Sequence, residues 1–172
     1  GDHRPAFQLM RGPNEGGRDA AAPATGATIA RAVNGSALDG KVRALSKLLR
    51  DNFGFVMQGI GVVVPIFATY DGNSKPEARL YFYDAMGAQF EATDYAATGS
   101  GSPAVRGILY YENTWGAKPL HKLNEQEAVS LALRALDTAA ESDTATAGVD
   151  RSGKIYPVIK IVSGEGITTL PE

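Results

Sequence analysis

Hydrophobic and polar positions alternate in recognisable periods from Leu38 onward. Val42, Leu45, Leu48, Leu49, Phe53 and Val56 fall on one helical face, with Lys41, Arg43, Lys47, Arg50 and Asp51 opposite. That spacing predicts an amphipathic helix over Gly40–Gln58. The apolar run from Ile60 to Tyr70 predicts a buried strand, in which Pro65 marks a bulge or an edge because it has no N–H to donate. Residues 71–76 form a turn, and Arg79–Asp84 and Gln89–Thr93 read as strands joined near Gly87, with a further short strand at Tyr95–Thr98. Ser102 before Pro103 predicts a helix start, running to Tyr111 or beyond. Asn124 with Glu127 forms a capping-box pattern for a helix ending near Glu141, packed through Ala128, Leu131, Ala132, Ala135 and Ala139. Lys154–Val162 and Gly166–Leu170 read as a closing hairpin around the turn Ser163–Gly166. Helix, sheet, two helices and sheet in that order give an α+β layered fold.

Residues 1–35 differ from this pattern. They are rich in Ala, Gly, Arg and Pro and sustain no period of 2 or 3.6, so they read as loop, with Ala27–Val33 as a short helix at most. The expected division is a low-complexity leader over 1–37 and one patterned domain over 38–172.

Composition narrows the function. The chain has 172 residues, enough for one domain with a sizeable core, and 44% hydrophobic residues fits a globular protein. A net charge of −2 argues against a general nucleic-acid partner. The absence of cysteine excludes disulfides, thiolate catalysis and Cys-ligated zinc. The longest apolar run, Ile60–Ala68, is too short to span a bilayer as a helix, and no secretory h-region is present at the N-terminus. A cytosolic protein with no Cys-ligated metal and no membrane-spanning helix is consistent with this.

Two segments could carry chemistry. Gly99-Ser100-Gly101-Ser102-Pro103 follows a strand and opens a helix, as an anion-cradling loop would. It lacks the Lys-Ser/Thr pair of a P-loop, and a tight turn with a helix cap explains it equally well. Asp143-Thr144-Ala145-Thr146-Ala147-Gly148 follows a helix, and its plain reading is a polar helix exit with Gly148 near the C-terminal cap. His3 and His121 lack metal-ligand spacing and adjoin no elbow serine; His121 reads as solvated. Trp115 and the tyrosines at 81, 83, 110 and 111 read as packing or subunit contacts, and the basic residues of Lys41–Arg50 as a solvated face.

Taken in order, several segments resemble the second half of an actinobacterial-type proteasome β-subunit. They are residues 39–54, Met57-Gln58-Gly59 leading into the strand with Pro65, Tyr70-Asp71, Gly99–Pro103, Asp143–Gly148 and Ile155-Tyr156-Pro157. The resemblance covers about Leu38–Leu170. It implies the N-terminal-nucleophile hydrolase fold, an α/β/β/α layered sandwich, here expected to be incomplete because the family's first strands are not found. Those strands would pair with the closing hairpin, which is therefore expected to lack a partner strand.

The resemblance also implies a function. In the family an N-terminal threonine attacks the peptide carbonyl, with its own amine acting as base through water. Carried over residue by residue, Ser100, Asp143 and Thr146 would hold that amine and its water, with Gly99 and Gly101 shaping the loop. Thr146 stands where many relatives have serine and offers the same hydroxyl. The nucleophile is not found: the nearest processing candidate, Gly26-Ala27-Thr28, has an interposed alanine, and its expected aspartate and lysine partners would fall near Ala44 and Ile60. The enzyme status stays open on this reading. The resemblance further implies a cytoplasmic protein with no cofactor and no metal, whose partners are α-subunits and other β-subunits in stacked rings, with unfolded protein substrates delivered by an ATPase ring and no nucleic-acid or membrane partner. The alternatives are a non-catalytic scaffold subunit of a ring, a related self-compartmentalised peptidase, or an unrelated small α+β binding domain.

Overall fold

The structure, a computed structural model, describes residues 6–10, 38–60, 62–72, 77–149, 152 and 156–171. The short helix expected at Ala27–Val33 lies outside them. Contacts divide the chain into two units, one taking 13–67 and 81–91, the other 1–12, 68–80 and 92–172.

The first of these is built on helix α1, Leu38–Asp51, which buries Val42, Leu45, Ser46 and Leu49. That i, i+3, i+4, i+7 stripe is the face expected from the sequence. Asp39 in its first turn and Arg50 in its last complement the helix dipole. The helix does not continue unbroken to Gln58. It stops at Asn52, and a separate short helix α2 runs over Phe53–Met57. The Asn52 side-chain amide donates to the Leu48 carbonyl at 2.7 Å. The same carbonyl also accepts from the Asn52 N–H at 3.2 Å, which is shared with Leu49 as at a helix end, and asparagine is a poor helix-interior residue.

A three-stranded sheet has the order β2 (Ile66–Asp71), β3 (Glu77–Tyr83), β4 (Gln89–Ala92). Strand β2 starts after Pro65 rather than at Ile60; Val62, Val63 and Val64 are exposed and outside any strand. Between β3 and β4 the Asp84 carboxylate accepts from the N–H groups of Met86 and Ala88 at 2.9 and 2.8 Å. Gly87, with φ +82°, closes that turn, as the sequence places it. Tyr81 and Tyr83 from β3 join Val42, Leu45 and Leu49 in a buried cluster, flanked by Leu38, Ala44 and Phe67. The Tyr83 hydroxyl donates to the Val42 carbonyl at 3.2 Å, and Ser46 donates to Gln89 at 3.1 Å.

The other unit contains a second sheet, in the order β1 (Ala6–Met10), β5 (Val158–Ser163), β6 (Gly166–Thr169). Strand β1 corrects the loop reading of residues 1–35. It lies antiparallel to β5, Ala6 opposite Val162 and Met10 opposite Val158, so the closing hairpin does have a partner strand. Five residues are too few to show a period, and the pairing that makes them a strand is supplied from far along the chain. Strand β5 begins at Val158, with Tyr156 and Pro157 before it outside any strand, and the expected start at Lys154 lies outside the described residues. The hairpin turns at Gly166 with φ +118°. Its Ile159, Ile161 and Val162 are buried, while β6 is exposed throughout.

Two helices complete this unit: α3 over Ser102–Trp115 and α4 over Glu125–Ser142, packed on each other. The Asn124–Glu127 capping box forms in both directions, at 2.8 and 2.9 Å. Leu131, Ala135 and Ala139 are the buried residues of α4. The run Tyr95–Thr98 forms no strand; it is a strap in which Ala97 is buried. Of the aromatic residues read as packing or subunit contacts, Tyr81 and Tyr83 are core, whereas Tyr110, Tyr111 and Trp115 are exposed.

Candidate functional site

The site begins at a turn that only glycine forms easily. Gly99 has φ +91°, in the left-handed region, and its carbonyl accepts from the Ser102 N–H at 3.1 Å. This reverses the chain from the strap into α3. The helix cap falls on Gly101 rather than Ser102, which is already the first helical residue, with Pro103 behind it. Gly101 is buried, and its carbonyl accepts the first helical hydrogen bond, from Val105 at 3.2 Å. Ser100 is thereby left exposed at the apex of the turn.

The exit of α4 provides the other half. Asp143 ends the helix in extended conformation, its N–H still donating to the Ala139 carbonyl at 2.9 Å. The chain then folds back on Asp143: its carbonyl accepts from the Thr146 N–H at 3.0 Å and its Oδ1 from the Ala145 N–H at 3.2 Å. Aspartate favours such local turns because its side chain reaches the backbone two residues on. Gly148 is not the cap; it lies against Ala140.

These two segments, 43 positions apart, meet on one oxygen. Asp143 Oδ2 accepts from the Ser100 hydroxyl at 2.6 Å and from the Thr146 hydroxyl at 2.5 Å. Gly101 permits the meeting. A Cβ there would lie 2.5 Å from Thr146 Oγ1, 3.2 Å from the Ala139 Cβ and 3.3 Å from Asp143 Oδ2. All five residues singled out from the sequence, Gly99, Ser100, Gly101, Asp143 and Thr146, therefore belong to one cluster.

Donation by Ser100, then by Thr146, holds the Asp143 carboxyl below its ordinary value, with the Ala145 N–H adding to this and partial burial opposing it. Asp143 is thus an ionised acceptor at neutral pH. It is suited to fixing hydroxyls, amines and water rather than to taking a proton. Its pKa is depressed in the folded state, so its contribution to stability is present above the unfolded value, near 3.8, and is lost as pH falls through the lower folded value. The expected result is that the advantage of the wild type over Asp143→Asn in thermal melts is full near neutrality and shrinks below the ordinary carboxylate range. A difference unchanged down to pH 2 would contradict it.

Two features of the surroundings escaped sequence reasoning. Arg106, one turn into α3, donates from Nη2 to the Ala97 carbonyl at 3.1 Å and ties the strap to the helix. His121 is not simply solvated: its Nδ1 lies 3.5 Å from Asp94 Oδ1. The only histidine among the described residues is therefore directed to a different carboxylate, and Ser100 with Asp143 lacks the intervening imidazole of a serine triad. Among the described residues no group of three His, Cys, Asp or Glu could hold a metal ion. No helix among them is long and apolar enough to cross a membrane.

Comparison with known proteins gives a consistent result. The family model described as "Proteasome subunit" matches residues 29–155. Proteasome subunit beta 2 of Thermomonospora curvata is 42% identical over 137 residues, covering 78% of this chain and 45% of that protein. Proteasome subunit beta of Streptomyces griseus subsp. griseus is 37% identical over 137 residues, with the same coverage. Proteasome subunit beta 1 of Streptomyces avermitilis is 38% identical over 138 residues, 78% of this chain and 46% of that protein. The chain thus spans less than half the length of each of these relatives.

Proposed function

The chain belongs to the proteasome subunit family, with β-type subunits as its relatives, and from that premise we propose that it carries the nucleophile-supporting part of a threonine endopeptidase subunit. The observation that carries this reading is the convergence of the Ser100 and Thr146 hydroxyls on the Asp143 carboxylate. In the family mechanism an N-terminal threonine attacks the peptide carbonyl while its amine, through a water, takes the hydroxyl proton. Ser100, Asp143 and Thr146 would hold that amine and water, and an ionised Asp143 favours the protonated amine that forms during attack. Gly99 and Gly101 give the loop its shape. The working context is cytoplasmic: stacked rings with α-subunits and other β-subunits, and unfolded proteins delivered by an ATPase ring.

The reading includes a negative expectation. Thr28 lacks a preceding glycine and lacks both the aspartate partner and the lysine that would lower its proton affinity, so the 172-residue chain is expected to hydrolyse no peptide by itself. Treatment with a covalent inhibitor directed at N-terminal threonines, followed by intact-mass analysis, is expected to leave the mass unchanged. One threonine specifically labelled would overturn this.

A second reading, a non-catalytic scaffold subunit of the ring, is favoured by one observation. Tyr110, Tyr111 and Trp115 of α3 are all exposed, at 58%, 62% and 70%, Tyr111 and Trp115 one turn apart, and aromatic residues are enriched at subunit interfaces. Sedimentation with co-expressed α-subunits tests this second reading: entry of the chain into a ring with no threonine labelled supports the scaffold, and failure to assemble, or a labelled threonine, counts against it.

A further inference from the structure

The strap that delivers Ser100 is fastened at its far end by a polar cluster that nothing in the site requires. Asp94 Oδ2 accepts from the Asn113 side-chain amide at 3.4 Å, and Asp94 Oδ1 lies 3.5 Å from His121 Nδ1. Asn113 is itself oriented, because its Oδ1 accepts from the Leu120 N–H at 2.9 Å. That leaves its NH₂ to face Asp94. Three elements therefore meet at Asp94: the start of the strap, the C-terminal half of α3, and the turn between α3 and α4.

The strap runs back along α3 from this cluster to the Gly99 turn. The helix rises about 16.5 Å from Ser102 to Asn113. The chain from Asp94 to Ser100 reaches at most about 20–22 Å when fully extended. The six residues from Asp94 to Ser100 are therefore enough to span this stretch of α3 with only a few ångströms in reserve, so where Asp94 is held limits where the Gly99 turn can lie. Midway, the Ala97 carbonyl is held by Arg106, and Ala97 is buried, which limits sideways escape.

We propose that Asp94, clamped by Asn113 and His121, is a positioning residue for Ser100: with the Arg106–Ala97 bond it anchors the strap along α3 so that the Ser100 hydroxyl meets the Asp143 carboxylate. The proposal rests on reading Ser100 and Asp143 as one network. It adds that the inter-helix turn, through His121, has a purchase on that network from the opposite end of α3.

The test reads the Asp143 carboxyl directly, by carbon-13 NMR titration of the full chain. Ser100→Ala removes the leading cause of the Asp143 depression and is expected to raise the titration midpoint. Asp94→Ala is expected to raise it part of the way, with Asn113→Ala and His121→Ala raising it less. The direction discriminates, because removing a negative charge without moving Ser100 would, if felt at all, lower the midpoint. A role confined to structure would lower the melting temperature and leave the Asp143 midpoint in place. Should Asp94→Ala fail to fold, the half-buried Asn113→Ala, which changes no charge, decides by the same readout. A wild-type midpoint in Asp94→Ala, or in Asn113→Ala where Asp94→Ala does not fold, overturns the proposal while Ser100→Ala still shifts. If Ser100→Ala itself produces no shift, the Ser100–Asp143 network fails and the proposal falls with it.

Discussion

Replacing Tyr83 with alanine is expected to destabilise the protein by about 3–5 kcal/mol, the range for removing a large aromatic side chain from a core. Tyr83 is completely buried, among Val42, Leu45, Leu49 and Tyr81. Its truncation leaves a cavity between α1 and β3 that neither element can close without disturbing the other. At this chain length the loss corresponds to a fall in melting temperature of roughly 6–20 °C. Tyr83→Phe isolates the hydroxyl. It keeps the ring and removes the 3.2 Å bond to the Val42 carbonyl, and it is expected to cost about 1 kcal/mol in urea denaturation.

The same hydroxyl gives an alkaline signature. Burial, aided by the neighbouring Tyr81, pushes the Tyr83 phenol from 10.0 up to about 12. A phenol that resists ionisation only in the folded state stabilises below the unfolded value, and that contribution disappears as pH rises from about 10 to about 12. Tyr83→Phe should flatten this part of the stability profile. Equal alkaline slopes in the two proteins would show that the phenol is not sequestered.

How far the sequence reveals this molecule depends on how local the cause is. The capping box of α4 is written in two residues three apart, and both of its hydrogen bonds form. The turn at Gly87 is equally local: a positive φ beside an aspartate that accepts two backbone N–H groups. The face of α1 follows from its period. What the pattern misses has a remote or competing cause. The helix breaks at Asn52 although its hydrophobic period continues past it, and there the Leu48 carbonyl accepts from both the side-chain amide and the backbone N–H of Asn52. Ala6–Met10 becomes a strand because β5 offers it a backbone partner. The carboxylate cluster is intermediate: neither Ser100 nor Asp143 stands out by local composition. Their association came through resemblance to a family, and the 2.6 Å bond between them is a tertiary fact. Arg106 and Asp94 escaped notice because one charged residue on a helix and one in a loop look like solvated surface until the strap is seen lying between them.

Replacing Gly101 should reach the candidate site directly. Its φ of −77° is open to any residue, so the need for glycine here comes from space and not from conformation. In Gly101→Ala the new methyl would sit 2.5 Å from Thr146 Oγ1, a distance that forces the hydroxyl away. Ala139 Cβ at 3.2 Å closes the other side, so the helix exit rather than the methyl must give. The expected cost is about 1–3 kcal/mol, as for overpacking a filled interior, and Gly101→Val should lie at or beyond the upper end. Thr146 would stop donating to Asp143, and the carboxyl would move up toward its ordinary value, since that donation is the second cause of its depression. Gly107 provides the control within the same helix. A Cβ there meets nothing within 4 Å, so Gly107→Ala should stabilise by about 0.5–1 kcal/mol through the lower entropy of the unfolded chain. If both alanine variants stabilise, Thr146 can move aside freely, and the contact at Gly101 does not hold the two halves of the site together. If only Gly107→Ala does, the close approach of the α3 cap to the α4 exit keeps Ser100, Thr146 and Asp143 in register, and that register requires a residue without a side chain.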